Sequence, residues 1–173
     1  DPDQVEVKNL TRQCFCQAEV GLNKAEALAA RYGMAFGLPI RAIAQLFKSD
    51  MIARNYNMLT VLMGCVDNAK ARTSLAKALE FNYDRSPRVW WIDGGNGDRF
   101  GQVLVGSSLS KVQKDYEFSE LGCIWLPAPS LQAPELLISR PEEHSDNRLS
   151  CAELAMLNAQ SLMVNPQTAE LMA

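Results

Sequence analysis

The stretch "RVWWIDGGNGDRFGQVLVG", from Arg88 to Gly106, decides the fold because its glycines allow two opposite interpretations. A glycine loop that cradles phosphates runs from a strand into a helix, whose N-terminal N–H groups hold the anion. Here the glycines lead instead into "QVLVG", whose apolar and β-branched residues are typical of a second strand. Asn96-Gly97 is also a strong hairpin signal, because both residues tolerate a positive φ. The stretch therefore predicts two strands joined by a tight connection, whose glycines can also let a substrate approach the backbone.

The residues just before this hairpin predict a strand followed by a helix. "MLTVLMGCVD" (58–67) is a nearly continuous apolar run of strand length. A run without alternation is typical of a strand buried on both faces, and so of a parallel sheet covered by helices. "AKARTSLAKAL" (69–79) follows as a helix, for which Asp67 or Asn68 is a natural N-cap. Strand and helix in this order indicate an α/β fold, and the hairpin makes its sheet mixed.

The two ends of the chain add further elements to this pattern. The alternation in "VEVK" (5–8) predicts the end of a strand that leaves into a loop. "LNKAEALAARY" (22–32) is rich in helix formers and predicts a helix that Gly33 and Gly37 end. The C-terminal part, from Cys151 onward, predicts two more helices.

Composition and charge narrow the class of protein. The 173 residues suffice for one domain with a substantial core, and 47% hydrophobic with 21% charged residues is ordinary for a globular protein. The net charge of −3 provides no bulk attraction to nucleic acid or to an anionic membrane. Five cysteines at irregular spacing, with His144 as the single histidine, speak against a disulfide framework and against zinc. We expect one domain over residues 1–173, cytoplasmic, with no nucleic-acid or membrane partner.

Several motifs taken together resemble the ThiF/MoeB/HesA family, the adenylating proteins related to ubiquitin-activating enzymes. They are "DPDQVEVKNLTRQ" with "VGLNKAEALAARY", "GCVDNAKAR", and "WWIDGGNGDRFGQVLVG" with "LSCAELAMLNAQSLMVN". The pairing is most similar to the PRTRC-system ThiF proteins. The resemblance implies a Rossmann-like α/β fold with a mixed central sheet flanked by helices. The strand and glycine-rich loop that precede "DPD" in the family are absent from these residues, so the expected ThiF-like domain is N-terminally incomplete.

The same resemblance implies an activity. Family members use ATP and Mg²⁺ to activate a carboxylate, which attacks the α-phosphate to form an acyl-adenylate and release pyrophosphate. The implied substrate is the C-terminus of a small ubiquitin-like or carrier protein, and the implied assembly is a homodimer. The alternative is a non-catalytic module that keeps the fold for dimerisation and protein interaction. A dinucleotide-dependent oxidoreductase is disfavoured, because "NLTRQ" and "CVDNAKAR" have no role there.

Polar residues of the N-terminal motif are candidates for contacting the nucleotide. Asp1 follows what resembles the second strand of a nucleotide-binding unit, where a carboxylate can accept hydrogen bonds from both ribose hydroxyls. Asn9, Arg12 and Gln13 are predicted to share one helical turn, which places Asn9 beside Arg12. The Arg12 guanidinium can bind phosphate oxygens in two places and neutralise the pyrophosphate charge that grows in the transition state. The resemblance implies ATP contacts for all of them and a catalytic role for Arg12, if necessary across a dimer; the alternative is ordinary surface residues.

Lys24 lies near the start of the predicted helix, where a cation is slightly unfavourable. That placement indicates a nearby anion, and the resemblance implies that the anion is a phosphate of ATP. The alternative is a solvated surface lysine.

Asp67 and Asn68 follow the buried strand, at the carboxyl edge where open α/β sheets bind ligands. A carboxylate there can hold Mg²⁺, and the resemblance implies this metal-binding and catalytic role for Asp67. The competing interpretation is that Asp67 only caps the next helix. Asn68 is expected to contact the nucleotide or to orient the loop, and Arg72 to be structural or intersubunit.

Cys151, in "LSCAEL", lies at the start of a predicted helix. A helix N-terminus lowers the pKa of a thiol and favours the reactive thiolate. Some family members carry a cysteine that accepts the activated acyl group as a thioester, which makes Cys151 a catalytic candidate. The alternative is a small buried thiol that only packs.

Overall fold

The computed structural model describes residues 2–10, 13–52, 57–82, 87–96, 101–110, 118–119, 122–123, 125–139 and 164–173. The described residues before Lys48 form one compact unit, and those from Lys48 onward form another. The single domain expected from the sequence stays a prediction. None of the described helices is both long enough and apolar enough to span a bilayer.

The first unit begins with a chain segment that the sequence pattern assigns to the end of a strand. Only a trace of that strand is present: Gln4 forms an isolated antiparallel bridge with Asn23. Directly afterwards the backbone turns into a 3-10 helix over Val7–Asn9. The reason is local, because Oδ1 of Asn9 accepts a hydrogen bond of 2.9 Å from the backbone N–H of Glu6. The prediction of an extended segment through residue 8 is therefore wrong.

Helix α1 (Lys24–Phe36) is the main element of the first unit. Asn23 caps it, since its side-chain oxygen accepts a hydrogen bond of 3.1 Å from the backbone N–H of Glu26. The helix continues through Gly33 and ends at Gly37, whose φ of 63° lies in the left-handed region that favours glycine. The predicted helix is confirmed, with its end at the second of the two glycines.

An ion pair between Glu19 and Arg31 joins the segment before α1 to the helix. The guanidinium of Arg31 donates to both carboxylate oxygens of Glu19 and to the backbone carbonyl of Cys14, and it lies over the ring of Phe15. A bidentate guanidinium–carboxylate pair favours the ionised carboxylate. The Arg31 side chain, helped by the backbone N–H of Cys16, therefore lowers the pKa of Glu19 below its usual value of 4.5.

This pair predicts an acid-sensitive contact in the first unit. Because the pKa of Glu19 is lowered by folding, its contribution to stability is present above pH 4.5 and is lost as the pH falls through the folded-state pKa. We expect NMR titration of the Glu19 carboxyl carbon to give a midpoint below 4.5. Arg31→Gln should raise this midpoint, whereas Arg41→Gln, at an exposed arginine, should leave it unchanged. Equal midpoints in the wild type and Arg31→Gln would show that the pair does not form.

The second unit contains a mixed sheet of three strands in the order β1-β2-β3. Their bounds are Thr60–Gly64 for β1, Val89–Asn96 for β2 and Gly101–Gly106 for β3. Strands β1 and β2 are parallel, with Gly64 opposite Asp93, whereas β2 and β3 are antiparallel. The mixed sheet and the pairing of the two hairpin strands are thus confirmed, while residues 97–100 of the connection lie outside the described residues. Val61 and Met63 of β1 are about half exposed, so this strand is not buried on both faces within the described chain.

Helices cover both faces of this sheet. They are α2 (Ala69–Ala78), which a 3-10 turn extends over Leu79–Phe81, a short α3 (Pro129–Gln132) and α4 (Val164–Met172). Two short strands, β4 (Phe118–Ser119) and β5 (Gly122–Cys123), form a separate antiparallel pair. Asp93 contacts α2, whereas its neighbour Gly94 lies against Met172 of α4. Successive strand residues point to opposite faces, so α2 and α4 flank the sheet on opposite sides.

Candidate functional site

Asp67 and Asn68 form the turn that connects the carboxyl end of β1 to α2. Asn68 is the N-cap, because its Oδ1 accepts a hydrogen bond of 2.8 Å from the backbone N–H of Ala71. Its Nδ2 donates to Oδ1 of Asp67 at 3.0 Å. Of the two capping candidates, the structure therefore selects Asn68. The Asp67 carboxylate is exposed at this edge of the sheet and is oriented by its neighbour.

The chemistry of Asp67 fits Mg²⁺ that is held mostly by phosphate oxygens. Oδ2 of Asp67 has no partner in the described part of the chain, so it is available as a hard oxygen ligand. The described ranges contain no cluster of three or more His, Cys, Asp or Glu side chains that could hold a metal without other ligands. Mg²⁺ is commonly bound by one or two carboxylates, substrate phosphates and water. A single acid at the edge of the sheet is compatible with that mode.

Lys24 is the first residue of α1 and already has an anionic partner. Its Nζ lies 3.2 Å from Oδ2 of Asp3, and its backbone N–H donates to the Asp3 carbonyl at 2.9 Å. The anion expected near this helix start is thus present within the chain. The Asp3 side chain is 62% exposed, and an ion pair at the surface contributes little to stability. A phosphate can therefore compete with Asp3 for the ammonium group.

Asn9 and Gln13 lie one turn apart in the first unit. The backbone N–H of Gln13 donates to the Asn9 carbonyl at 2.9 Å. The helical turn shared with Arg12 stays a prediction, because Arg12 lies outside the described residues. Asn9 is buried and uses its Oδ1 to hold the N–H of Glu6, so a ligand could be reached through its Nδ2 group. Gln13 is exposed. The roles of both residues toward a nucleotide stay predictions.

The candidate residues that the structure describes are divided between the two units, and Asp67 and Asn68 are in direct contact. Asn9, Gln13 and Lys24 belong to the first unit, whereas Asp67 and Asn68 belong to the second. Asp1, Arg12 and Cys151 lie outside the described residues. The ribose contact, the phosphate contact and the thioester proposed for these three therefore stay predictions.

Sequence reasoning missed a buried ion pair between α2 and β2. Nε of Arg72 donates to both carboxylate oxygens of Asp93, at 3.3 and 3.2 Å, and the Asp93 side chain is 0% exposed. Arg72 therefore has a structural role within the chain, one of the two roles expected for it, and an intersubunit role stays a prediction. The signal was available, because an acid inside the apolar strand "VWWID" must have a partner if it is buried ionised.

The surroundings of Asp93 affect its protonation. Burial raises the pKa of the carboxyl group above its usual value, and the charge of the Arg72 guanidinium opposes this shift. Removing either partner would leave an uncompensated charge in the interior, which is far more costly than losing a surface pair. The pair thus joins the first turn of α2, next to the Asn68 cap, to the middle of β2.

Comparison with protein-family models identifies one family. Residues 1–104 match the model described as the ThiF family, and this region is more than half of the chain. It contains Lys24, Asp67, Arg72 and Asp93. No curated protein matches the sequence. The match concerns the family as a whole, so the closer resemblance to PRTRC-system ThiF proteins stays a prediction.

Proposed function

The chain belongs to the ThiF family, and from that membership we propose that it is an ATP-dependent adenylyltransferase. A carboxylate oxygen of the substrate attacks the α-phosphorus of ATP, and the bond from that phosphorus to the bridging oxygen breaks. Pyrophosphate leaves with the electron pair, and the substrate becomes an acyl-adenylate. The substrate we propose is the C-terminus of a small ubiquitin-like or carrier protein, and the enzyme acts as a homodimer.

The single observation that carries this proposal is the position of Asp67. Its carboxylate is exposed where β1 ends and α2 begins, and one of its oxygens is held by Asn68. In open α/β sheets, ligands bind outside the carboxyl ends of the strands. When bound there, Mg²⁺ would neutralise phosphate charge as a Lewis acid. The residue that would hold it is Asp67, oriented by the amide of its neighbour.

The cationic residues of the N-terminal motif supply the rest of the charge. Lys24 would exchange its solvent-exposed partner Asp3 for a phosphate oxygen, and Arg12 would bind phosphate through its guanidinium. Asp1, Asn9 and Gln13 would contact the nucleotide, with the Asp1 carboxylate accepting from the ribose hydroxyls. Such a site accelerates the reaction by positioning and by charge neutralisation, without an acid–base pair.

A thioester step could follow adenylation. The thiolate of Cys151 would attack the carbonyl carbon of the acyl-adenylate, and AMP would leave with the electron pair. The thiol proton would be lost to solvent when the thiolate forms. This step gives Cys151 its proposed catalytic role.

The experiment that tests the function is ATP–pyrophosphate exchange with the full chain and purified ubiquitin-like and carrier proteins. We expect incorporation of labelled pyrophosphate into ATP that requires Mg²⁺ and one partner protein with a free C-terminus. The same partner with an amidated C-terminus is the matched control and should support no exchange. Absence of exchange with every partner would contradict the proposal and favour the non-catalytic interaction module. Release of ADP and phosphate in place of AMP would also contradict the proposal, because the enzyme would then cleave ATP at another bond.

A further inference from the structure

Most of the Arg72 side chain is buried, but its guanidinium is only partly hydrogen-bonded within the described residues. Only 9% of the side chain is exposed, and its hydrogen bonds to Asp93 both come from Nε. The two terminal nitrogens, Nη1 and Nη2, donate to no group in the described residues. A guanidinium carries five N–H donors, so four of them are left on the terminal nitrogens. Among the described residues, Nε1 of Trp91 is the one buried side-chain nitrogen or oxygen without a hydrogen-bond partner. The terminal nitrogens of Arg72 therefore reach solvent, where a ligand can contact them.

The position of Arg72 on α2 indicates where these donors lie. Side chains on a helix lean toward its N-terminus, and the N-terminus of α2 is at the carboxyl end of β1. Arg72 also follows Asn68 by one helical turn, and its backbone N–H donates to the Asn68 carbonyl at 3.3 Å. Its partner Asp93 lies opposite Gly64, the last residue of β1. The free donors are thus near the same edge of the sheet as the Asp67 turn.

We infer that Arg72 is an oxyanion-binding residue, held in place by Asp93, whose terminal nitrogens bind two oxygens of a phosphate or a carboxylate. Asp93 fixes the guanidinium through Nε and leaves the Nη1–Nη2 edge in the fork geometry that matches such groups. The oxyanion would complete the hydrogen bonds that the protein leaves open. Its place in the reaction rests on the proposed function, where it is either a phosphate of ATP or the carboxylate of the substrate. The binding itself does not depend on that function.

Charge balance explains why the acid is part of this arrangement. Asp93 neutralises Arg72 when no ligand is present, which offsets the cost of burying most of the Arg72 side chain. Because only Nε is engaged, an incoming anion need not displace the carboxylate. Asp93 is therefore a positioning residue, and Arg72 is the group that touches the ligand.

The test is a titration of the full chain with inorganic pyrophosphate, and separately with acetate, in the absence of Mg²⁺ and ATP. We expect the Nη signals of Arg72 in the NMR spectrum to shift with at least one of the two anions. Shifts with pyrophosphate assign the subsite to phosphate, and shifts with acetate assign it to the substrate carboxylate. This measurement uses the wild-type protein, so it does not depend on the folding of a variant. No shift at Arg72 with either anion would overturn the inference.

Matched variants measure how much the donors contribute. Arg72→Lys keeps the positive charge but removes the paired terminal nitrogens of the guanidinium. It should weaken the binding of the anion that shifts the Arg72 signals roughly 10- to 100-fold. Arg88→Lys makes the same replacement at an exposed arginine of the same unit, and it should leave the affinity unchanged. Asp93→Asn should reduce the affinity less than Arg72→Lys does, because the guanidinium of Arg72, with its paired terminal donors, remains. Equal affinities of the wild type and Arg72→Lys would overturn the inference.

The outcome separates this inference from the proposed function. If anion binding depends on Arg72 but the protein shows no ATP–pyrophosphate exchange, the proposed function is contradicted and the anion subsite at Arg72 is supported. If the protein shows exchange activity but its Arg72 signals respond to neither anion, the anion subsite is contradicted and the proposed function is supported.

Discussion

Replacing Asp67 by asparagine is expected to lower the rate of ATP–pyrophosphate exchange by about a hundredfold or more, the range seen when one electrostatic group of an active site is removed. The change keeps the size of the side chain and its contact with Asn68, but it removes the negative charge that Mg²⁺ prefers. Stability should change little, since Asp67 is exposed and Asn68 is the residue that caps α2. Exchange measured at saturating ATP, alongside thermal unfolding, checks both statements.

The control for Asp67→Asn is Asp50→Asn, at an exposed acid of the same unit. It removes the same charge from the chain and should leave the exchange rate within about twofold of the wild type, as is usual for surface substitutions. Full exchange activity in Asp67→Asn, at any concentration of Mg²⁺, would remove Asp67 from the proposed site. Equal loss in both variants would indicate an effect of net charge alone.

Replacing Gly106 by alanine is expected to lower the free energy of unfolding by roughly 3 kcal/mol, at the upper end of what overpacking costs. A Cβ on Gly106 would lie 1.9 Å from the carbonyl oxygen of Pro127 and 2.7 Å from Cα of Ala128. Both obstacles are backbone atoms, so no side-chain rotation can relieve the clash. Urea denaturation measures the loss as a lower midpoint.

Two other glycines on the neighbouring strand β2 provide a graded comparison. At Gly95 the added Cβ would meet only the flexible side chain of Gln102, at 3.2 Å, so Gly95→Ala should be close to neutral. At Gly94 it would meet the sulfur of buried Met172 at 2.2 Å, so Gly94→Ala should give an intermediate loss. If Gly106→Ala unfolds at the same urea concentration as Gly95→Ala, β3 does not pack closely against the backbone of Pro127 and Ala128.

The sequence was most informative where a local pattern is enough to define the structure. The glycines of the Arg88–Gly106 stretch, followed by β-branched residues, predicted the pairing of β2 and β3. The helix formers before Gly37 predicted α1, because a positive φ at glycine ends a helix without steric cost. Asn68 was one of two N-cap candidates, and the geometry of the turn decided between them.

The sequence was least informative where a contact joins residues that are distant along the chain. Arg72 and Asp93 are 21 residues apart, and so are Lys24 and Asp3, so neither ion pair has a periodic signature. The 3-10 turn at Val7–Asn9 was missed for a different reason. The alternation of apolar and polar residues favours a strand, but the hydrogen bond from the backbone N–H of Glu6 to the Asn9 side chain favours a turn. Of the candidate site, the sequence could suggest Asp67, its neighbour Asn68 and Lys24, but not the pairing of Lys24 with Asp3.

Paramagnetic NMR can show whether Asp67 holds the metal ion of a bound nucleotide. Mn²⁺ replaces Mg²⁺ at substoichiometric concentration, and the intensities of the backbone amide signals are compared with and without ATP. If Asp67 holds the metal, the amide signals of Asp67 and Asn68 broaden strongly when ATP is present, and this broadening disappears in Asp67→Asn. Broadening that is unchanged in Asp67→Asn, or that leaves both of these amides unaffected in the presence of ATP, would contradict metal binding by Asp67.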